Sequence, residues 1–340
     1  MNKAPFSTLH VTLTTAADRP SSDQDQDQDQ DQPQVDATQW VPTAGERALV
    51  LGGAGASGNA WVIGVVAGLF EAGLDVTEAD VTIGSSAGST AAAQITGGIL
   101  PTKLLADILA AASRPSNGPA GSNRGRAPLG PASDHMDRTS AVIDAAEDAP
   151  DMRRRMGAAA LETDVDSHSA LQTQWRATVA ARLTSHDWPQ RLLLIPAVDA
   201  HTGEPVVFDR DSGVDLVDAV AACTSNGFGV PPYSLGGRRY INGAYRRNEN
   251  ADLAAGCKRV LVLSPFGGRS RQPLEWGMDL AAQVDELRAS GSRVETIFPD
   301  DESKHLFGAN AMDLSLRAPA AQAGYDQGKA LAEQLAEFWH

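Results

Sequence analysis

Residues 47–90 read RALVLGGAGASGNAWVIGVVAGLFEAGLDVTEADVTIGSSAGST, and this stretch decides the fold. The run 48–51 is short and apolar, and Gly52, Gly53, Gly55 and Gly58 crowd the turn after it. A second apolar run, 81–83, stops at Gly84-Ser85-Ser86-Ala87-Gly88. The pattern predicts strand, glycine turn, helix, strand, sharp turn, helix. G-x-S-x-G between a strand and a helix is the setting of a nucleophile elbow, where a serine hydroxyl stands clear of its own backbone. Small flanking residues let that turn close and the next helix approach. A helix starting near Ser86 offers unpaired N–H groups and a positive dipole end to a developing oxyanion. The 52–55 turn offers further N–H groups to the same point.

Residues 53–58, GAGASG, also fit G-x-G-x-x-G, the dinucleotide fingerprint. That reading wants an acidic residue at the end of the next strand. Here Asp80 precedes the strand, and the strand ends in the serine turn. Two glycine turns on consecutive strand–helix units favour the nucleophile reading over the nucleotide one.

Composition bounds the partners. The 340 residues carry a formal net charge of −15, which argues against nucleic acid and gives no attraction to anionic membranes. The hydrophobic share of 42% supports a substantial core for one large α/β domain with appendages. Cys223 and Cys257 make no disulfide framework and read as reduced thiols of a cytoplasmic protein. The N-terminal segment lacks the apolar core of a signal peptide. No run approaches the ~20 apolar residues of a membrane span, so lipid contact is expected to be peripheral, with a membrane or a micelle. No metal constellation or cofactor motif is legible, since the seven histidines are dispersed.

Residues 1–44 read as a low-complexity tail, with an Asp-Gln repeat over 23–32, for which disorder is the expectation. The helix 57–71 is apolar on nearly every side and should be buried, with Gly64 and Gly68 allowing close packing. Pro101–Ser113 reads as a helix. The segment 114–131 is rich in Gly, Pro, Asn and Ser and reads as a loop. The segment 132–161 is mixed and charged, so 114–167 is a variable insertion, either a lid or a solvated excursion. An amphipathic helix is expected over 169–183, with Leu171, Trp175, Val179 and Leu183 on one face and Ser169 as N-cap. A strand at 192–198 should turn back into 206–208 as a hairpin, with Asp199, His201, Asp209 and Asp211 in structural roles. Further elements are a helix at 214–223, an edge-like strand at 238–241 and strands at 258–263 and 293–298. Helices at 280–290 and 318–339 complete the chain. This alternation implies a three-layer α/β/α fold with a mostly parallel central sheet.

The paired motifs resemble those of the patatin-like phospholipase family. The resemblance runs over 46–339 and includes Asp187-Trp188-Pro189, Val198-Asp199-Ala200, Arg238-Arg239-Tyr240 and Asn250-Ala251-Asp252-Leu253. It implies a serine acyl-ester hydrolase acting on a lipid acyl ester through a Ser–Asp dyad. Ser86 would be the nucleophile. Gly53, Gly55 and Ala87 would form the oxyanion hole, with Gly52 shaping the turn. The late D-G-G/A motif, whose aspartate is the base, stands here as Asn242-Gly243-Ala244.

Asparagine can hold a serine hydroxyl, but it cannot accept its proton at neutral pH. In a serine triad the Asp-to-Asn change lowers turnover about 10⁴-fold, roughly 5.4 kcal/mol. In a dyad the loss should be no smaller. Three accounts of Asn242 therefore stand. The chain is a lipid-binding or regulatory pseudoenzyme, or the substitution was introduced to trap an acyl state, or another group is the base. A rival α/β-hydrolase triad would use His305 with Asp279, Asp300 or Asp301. Deamidation at Asn242-Gly243 would restore an aspartate.

Overall fold

The computed structural model describes residues 45–113, 132–162 and 168–340. The tail 1–44 and the glycine-rich loop 114–131 lie outside the described residues, as does 163–167.

In chain order the elements are β1 (Gly45–Leu51), α1 (Gly55–Glu71), β2 (Val81–Gly84), α2 (Ala87–Thr96), α3 (Pro101–Ser113), α4 (Ala132–Asp144), α5 (Ala149–Glu162) and α6 (His168–Ala180). They continue with β3 (Leu192–Asp199), β4 (Pro205–Phe208), α7 (Leu216–Thr224), β5 (Tyr233–Leu235), β6 (Arg238–Asn242), β7 (Cys257–Leu263), α8 (Leu280–Ala289), β8 (Arg293–Ile297) and α9 (Arg317–Trp339). The sheet order is β5-β6-β3-β2-β1-β7-β8, with β4 also beside β3. The pairs β3–β2, β2–β1, β1–β7 and β7–β8 are parallel, whereas β4 and β6 run antiparallel to β3.

Alternation along the strands builds the three layers. Leu49 and Leu51 of β1, with Leu261 and Leu263 of β7, face a core closed by α1, α2, α3, α7 and α9. Ala48, Val50, Val260 and Val262 face the other side, where Leu280, Val284 and Leu287 of α8 cover them. Both faces are apolar, so the strands read as continuous apolar runs, the mark of a sheet covered on both sides.

The buried helix α1 packs on α9 through reciprocal glycines. A Cβ on Gly64 would lie 2.1 Å from the Ala321 carbonyl oxygen, and one on Gly68 2.2 Å from that of Tyr325. Gly324 and Gly328 of α9 stand equally close to the carbonyls of Trp61 and Val65. Each glycine costs a helix about 1 kcal/mol against alanine, and the contact it allows offsets that cost.

Several expectations shift. Helix α6 ends at Ala180, so Ser169 lies inside it and Leu183 follows it. Past Ala180 the Arg182 and Leu183 N–H groups bond three residues back, to Val179 and Ala180, and Gln94 of α2 donates to the Arg182 carbonyl at 2.8 Å. Strand β6 is no edge, because it pairs with β3 on one side and β5 on the other. Gly236 and Gly237, at φ 51° and 75°, close a hairpin there, and the three-residue β5 was hidden behind two prolines. The charged stretch 132–161 forms two helices. Ile143 of α4 and Met152, Met156 and Ala160 of α5 pack with Val198 and Ile241 in a small separate core. Asp80 accepts the backbone N–H groups of Glu46 and Arg47, both at 2.9 Å, so it ties strand ends together.

Candidate active site

Strand register brings the two glycine turns together. Leu51 and Gly84 are opposite each other in the parallel β1–β2 pair. The chain therefore leaves both strands at the same level of the sheet. The ladder runs on for one more step, with Ser85 N–H on the Leu51 carbonyl at 3.0 Å and Gly52 N–H on that of Leu263 at 2.9 Å. The first turn then folds directly against the second: a Cβ on Gly53 would lie 2.7 Å from Ser86 Cβ.

The elbow has the strained geometry its motif predicts. Ser86 adopts φ 53°, ψ −125°, one of two non-glycine residues with positive φ among the described residues. Such a conformation costs on the order of 1–3 kcal/mol and persists only where its surroundings hold it. Gly88 lets α2 approach β1, since a Cβ there would meet the Leu51 carbonyl oxygen at 2.0 Å. Ser86 N–H donates to Cys223 Sγ at 3.1 Å, and burial pushes that thiol's pKa up, so it stays a neutral acceptor.

The register of β3 places residue 242. Strand β2 pairs with Leu192–Leu194 side by side, while β6 runs the opposite way along Ala197–Asp199. The C-terminal ends of β2 and β6 thus converge on the same short stretch of β3. Gly243 is seated on it so closely that a Cβ would lie 2.1 Å from the Pro196 carbonyl oxygen. The result is a hydrogen bond from Asn242 Nδ2 to Ser86 Oγ at 2.9 Å, across 156 residues of sequence. Asn242 also caps the short helical turn Gly243–Tyr245, its Oδ1 accepting the Ala244 N–H at 2.9 Å. The cap fixes the amide's orientation: oxygen to the backbone, nitrogen to the serine.

Asn250 locks the two loops to each other. It sits at φ 59° and is fully buried. Its Nδ2 reaches Ser85 Oγ at 2.8 Å, the Arg247 carbonyl at 2.7 Å and the Gly243 carbonyl at 3.1 Å. Its Oδ1 accepts from Arg246, which also grips Asp252 with two nitrogens. Ser85 donates in turn to the Glu249 carbonyl at 2.9 Å. Asn250 entered the sequence reading only as part of a resemblance. In sequence it stands among polar and charged neighbours, Asn248, Glu249 and Asp252, so nothing local singled it out.

The expected oxyanion residues differ in what their amides do. Gly52 N–H is committed to Leu263, so it shapes the turn. Among the described residues the N–H groups of Gly53, Gly55 and Ala87 meet no protein acceptor. Gly55 has φ +58° and is pressed by Ala311 and Met312. His305 stands apart from this constellation: it is exposed, and a ring nitrogen lies 2.8 Å from the Glu302 carbonyl. No described helix is long and apolar enough to cross a membrane.

Solved structures that resemble the chain include VipD from Legionella pneumophila (14% identity, TM-score 0.40) and the type III effector protein ExoU (17% identity, TM-score 0.31). The matches cover 86% and 85% of this chain, and 67% and 54% of VipD and ExoU respectively. The chain thus spans about half the length of ExoU. The comparison with curated proteins gave no match. The model of patatin-like phospholipases matches residues 49–255, which runs from β1 past Ser86 and Asn242 to the turn after Asn250. The chain belongs to the patatin-like phospholipase family.

Proposed function

We propose that the chain carries a lipid acyl-ester hydrolase site in which Ser86 is the nucleophile and position 242 is the base position, switched off by asparagine. The N–H groups of Gly53, Gly55 and Ala87 are the oxyanion donors. With a carboxylate at 242, Ser86 Oγ would attack the acyl carbonyl and pass its proton to residue 242. That proton would leave with the alcohol product. Water, deprotonated by the same carboxylate, would then release the fatty acid from Ser86. Helices α4 and α5 would cover the acyl chain.

One observation carries this reading: Asn242 donates to Ser86 Oγ at 2.9 Å while its own oxygen is held by Ala244 N–H. The pair is connected, yet the serine proton has no acceptor on residue 242. The same observation favours a second reading, a lipid-binding protein without turnover. Oxyanion stabilisation and binding alone leave about 10³-fold over water.

The test is turnover of a medium-chain acyl ester by the chain as it stands, Ser86→Ala and Asn242→Asp. The proposal expects the first two to be equally slow and the third to be fast. A chain already fast, with no gain from Asn242→Asp, would overturn the base assignment.

A further inference from the structure

Glu249 lies behind the glycine turn. Its side chain is 3% exposed, and its Cγ is 3.2 Å from where a Cβ on Gly52 would stand. Oε1 accepts from Ser264 Oγ at 2.7 Å, whereas Oε2 is buried with no hydrogen-bond partner. Its backbone carbonyl accepts from Ser85 Oγ, so the residue touches the supports of both glycine turns. Among the described residues it forms no ion pair. The charged group facing it is the Asp279 carboxylate at the start of α8. Gly52, Ser85 and Ser264, which also touch it, bring no charge.

We propose that Glu249 is a positioning residue whose charge state sets how strongly the glycine turn stabilises an oxyanion. This rests on the reading of Gly53 and Gly55 as oxyanion donors. A neutral Glu249 leaves the dipoles of the turn unopposed. An ionised one puts a buried negative charge behind the turn, of the same sign as the charge that develops on the oxyanion. Burial, with the field of Asp279, pushes this carboxyl up to about 7, so both states are reached near neutral pH.

The experiment measures kcat and KM of an acyl ester from pH 5 to 9 in the Asn242→Asp protein, alone and with Glu249→Gln or Ser264→Ala. With Glu249 present, kcat should fall about tenfold between pH 6 and 8 while KM holds, as a group titrating near 7 requires. Glu249→Gln should stay flat within about twofold over that range. Ser264→Ala, which removes the hydrogen bond favouring the ionised form, should move the fall to higher pH. That shift keeps the test decisive if Glu249→Gln does not fold. Identical alkaline limbs in all three proteins would overturn the proposal and leave the hydrolase reading standing. No Ser86-dependent turnover in Asn242→Asp at any pH would overturn both.

Discussion

Asn242 gives a hydrogen bond to Ser86 and takes none from it: Nδ2 is 2.9 Å from Oγ, and Oδ1 is occupied by the Ala244 N–H. An aspartate could keep the cap with one oxygen and accept the serine proton with the other. Asn242→Asp should therefore leave stability within about 0.5 kcal/mol while raising ester turnover about 10⁴-fold. Asn242→Ala should lose the cap, about 1 kcal/mol, and stay at background turnover. Urea denaturation and ester kinetics on the three proteins separate these effects. Equal turnover in the Ala and Asp variants would show that residue 242 is no base.

Asn250 should matter more to stability than its size suggests. Its side chain satisfies Ser85, Gly243, Arg247 and Arg246 in a site closed to water. Asn250→Ala leaves Ser85 on Glu249, Arg246 on Asp252 and the Gly243 carbonyl on the Arg246 N–H, but strips the Arg247 carbonyl of its donor, so a loss of about 2–3 kcal/mol is expected. It also puts alanine at φ 59°. Urea unfolding should show the loss. In the Asn242→Asp background, turnover should fall more than tenfold, since Ser85 and Gly243 hold the reacting pair. A variant as stable and active as its parent would remove Asn250 from the site's framework.

The serine half of the candidate site was legible because its two turns are local. Strand, glycines and helix follow one another within 47–90, and Ser86 and Gly53 meet because neighbouring parallel strands end at the same level. Asn242 was legible through its motif alone, since its contact with Ser86 depends on how β3 shares its length between β2 and β6. What Cys223, Asn226 and Glu249 do at the site was not legible. Cys223 reads as a small apolar residue, yet its sulfur accepts the Ser86 N–H. Asn226 reads as a loop residue, yet its Oδ1 collects the N–H groups of Phe228, Gly229 and Val230 beside the site. Such roles come from burial among distant neighbours, which spacing does not encode.

The α1–α9 contact predicts an asymmetry among glycines. Gly64→Ala gains helix propensity of about 1 kcal/mol but drives a methyl into the Ala321 carbonyl. Overpacking should win, with a net loss of about 2–3 kcal/mol and a lower Tm. Gly73, at φ +91°, has nothing within 4 Å of an added Cβ. Gly73→Ala should cost only its backbone strain, about 1 kcal/mol. Thermal unfolding of both variants compares them. Equal losses would mean that the helices separate at little cost.

Glu249 also makes stability depend on pH. Its carboxyl ordinarily titrates near 4.5, and burial raises it to about 7 in the folded chain. Between those values the unfolded chain gives up this proton and the folded chain keeps it. Unfolding thus becomes easier as pH rises from about 4.5 to about 7, by on the order of 3 kcal/mol from this group, and is constant above. Glu249→Gln should flatten the curve of urea-unfolding free energy over that window. A window unchanged in the variant would assign the dependence to other groups.

Arg271 fastens α4, and its loss should loosen the proposed cover. The guanidinium donates to Thr139 Oγ1 at 2.7 Å, Ser140 Oγ at 2.6 Å and the Met136 carbonyl at 2.8 Å, all on one helix. That helix otherwise rests on a small core and on the tilted contact of His135 with Phe228, ring centroids 5.6 Å apart. Three charge-assisted hydrogen bonds contribute on the order of 1–3 kcal/mol each at most, and half-exposed ones less. Arg271→Ala should therefore detach α4 without unfolding the sheet. Amide exchange should quicken several-fold over 132–144 and stay unchanged in β1, β2 and α1. If α4 covers the acyl site, the same change in the Asn242→Asp protein should alter KM for long-chain esters more than for short ones. Equal effects on both chain lengths would make α4 a bystander to substrate binding.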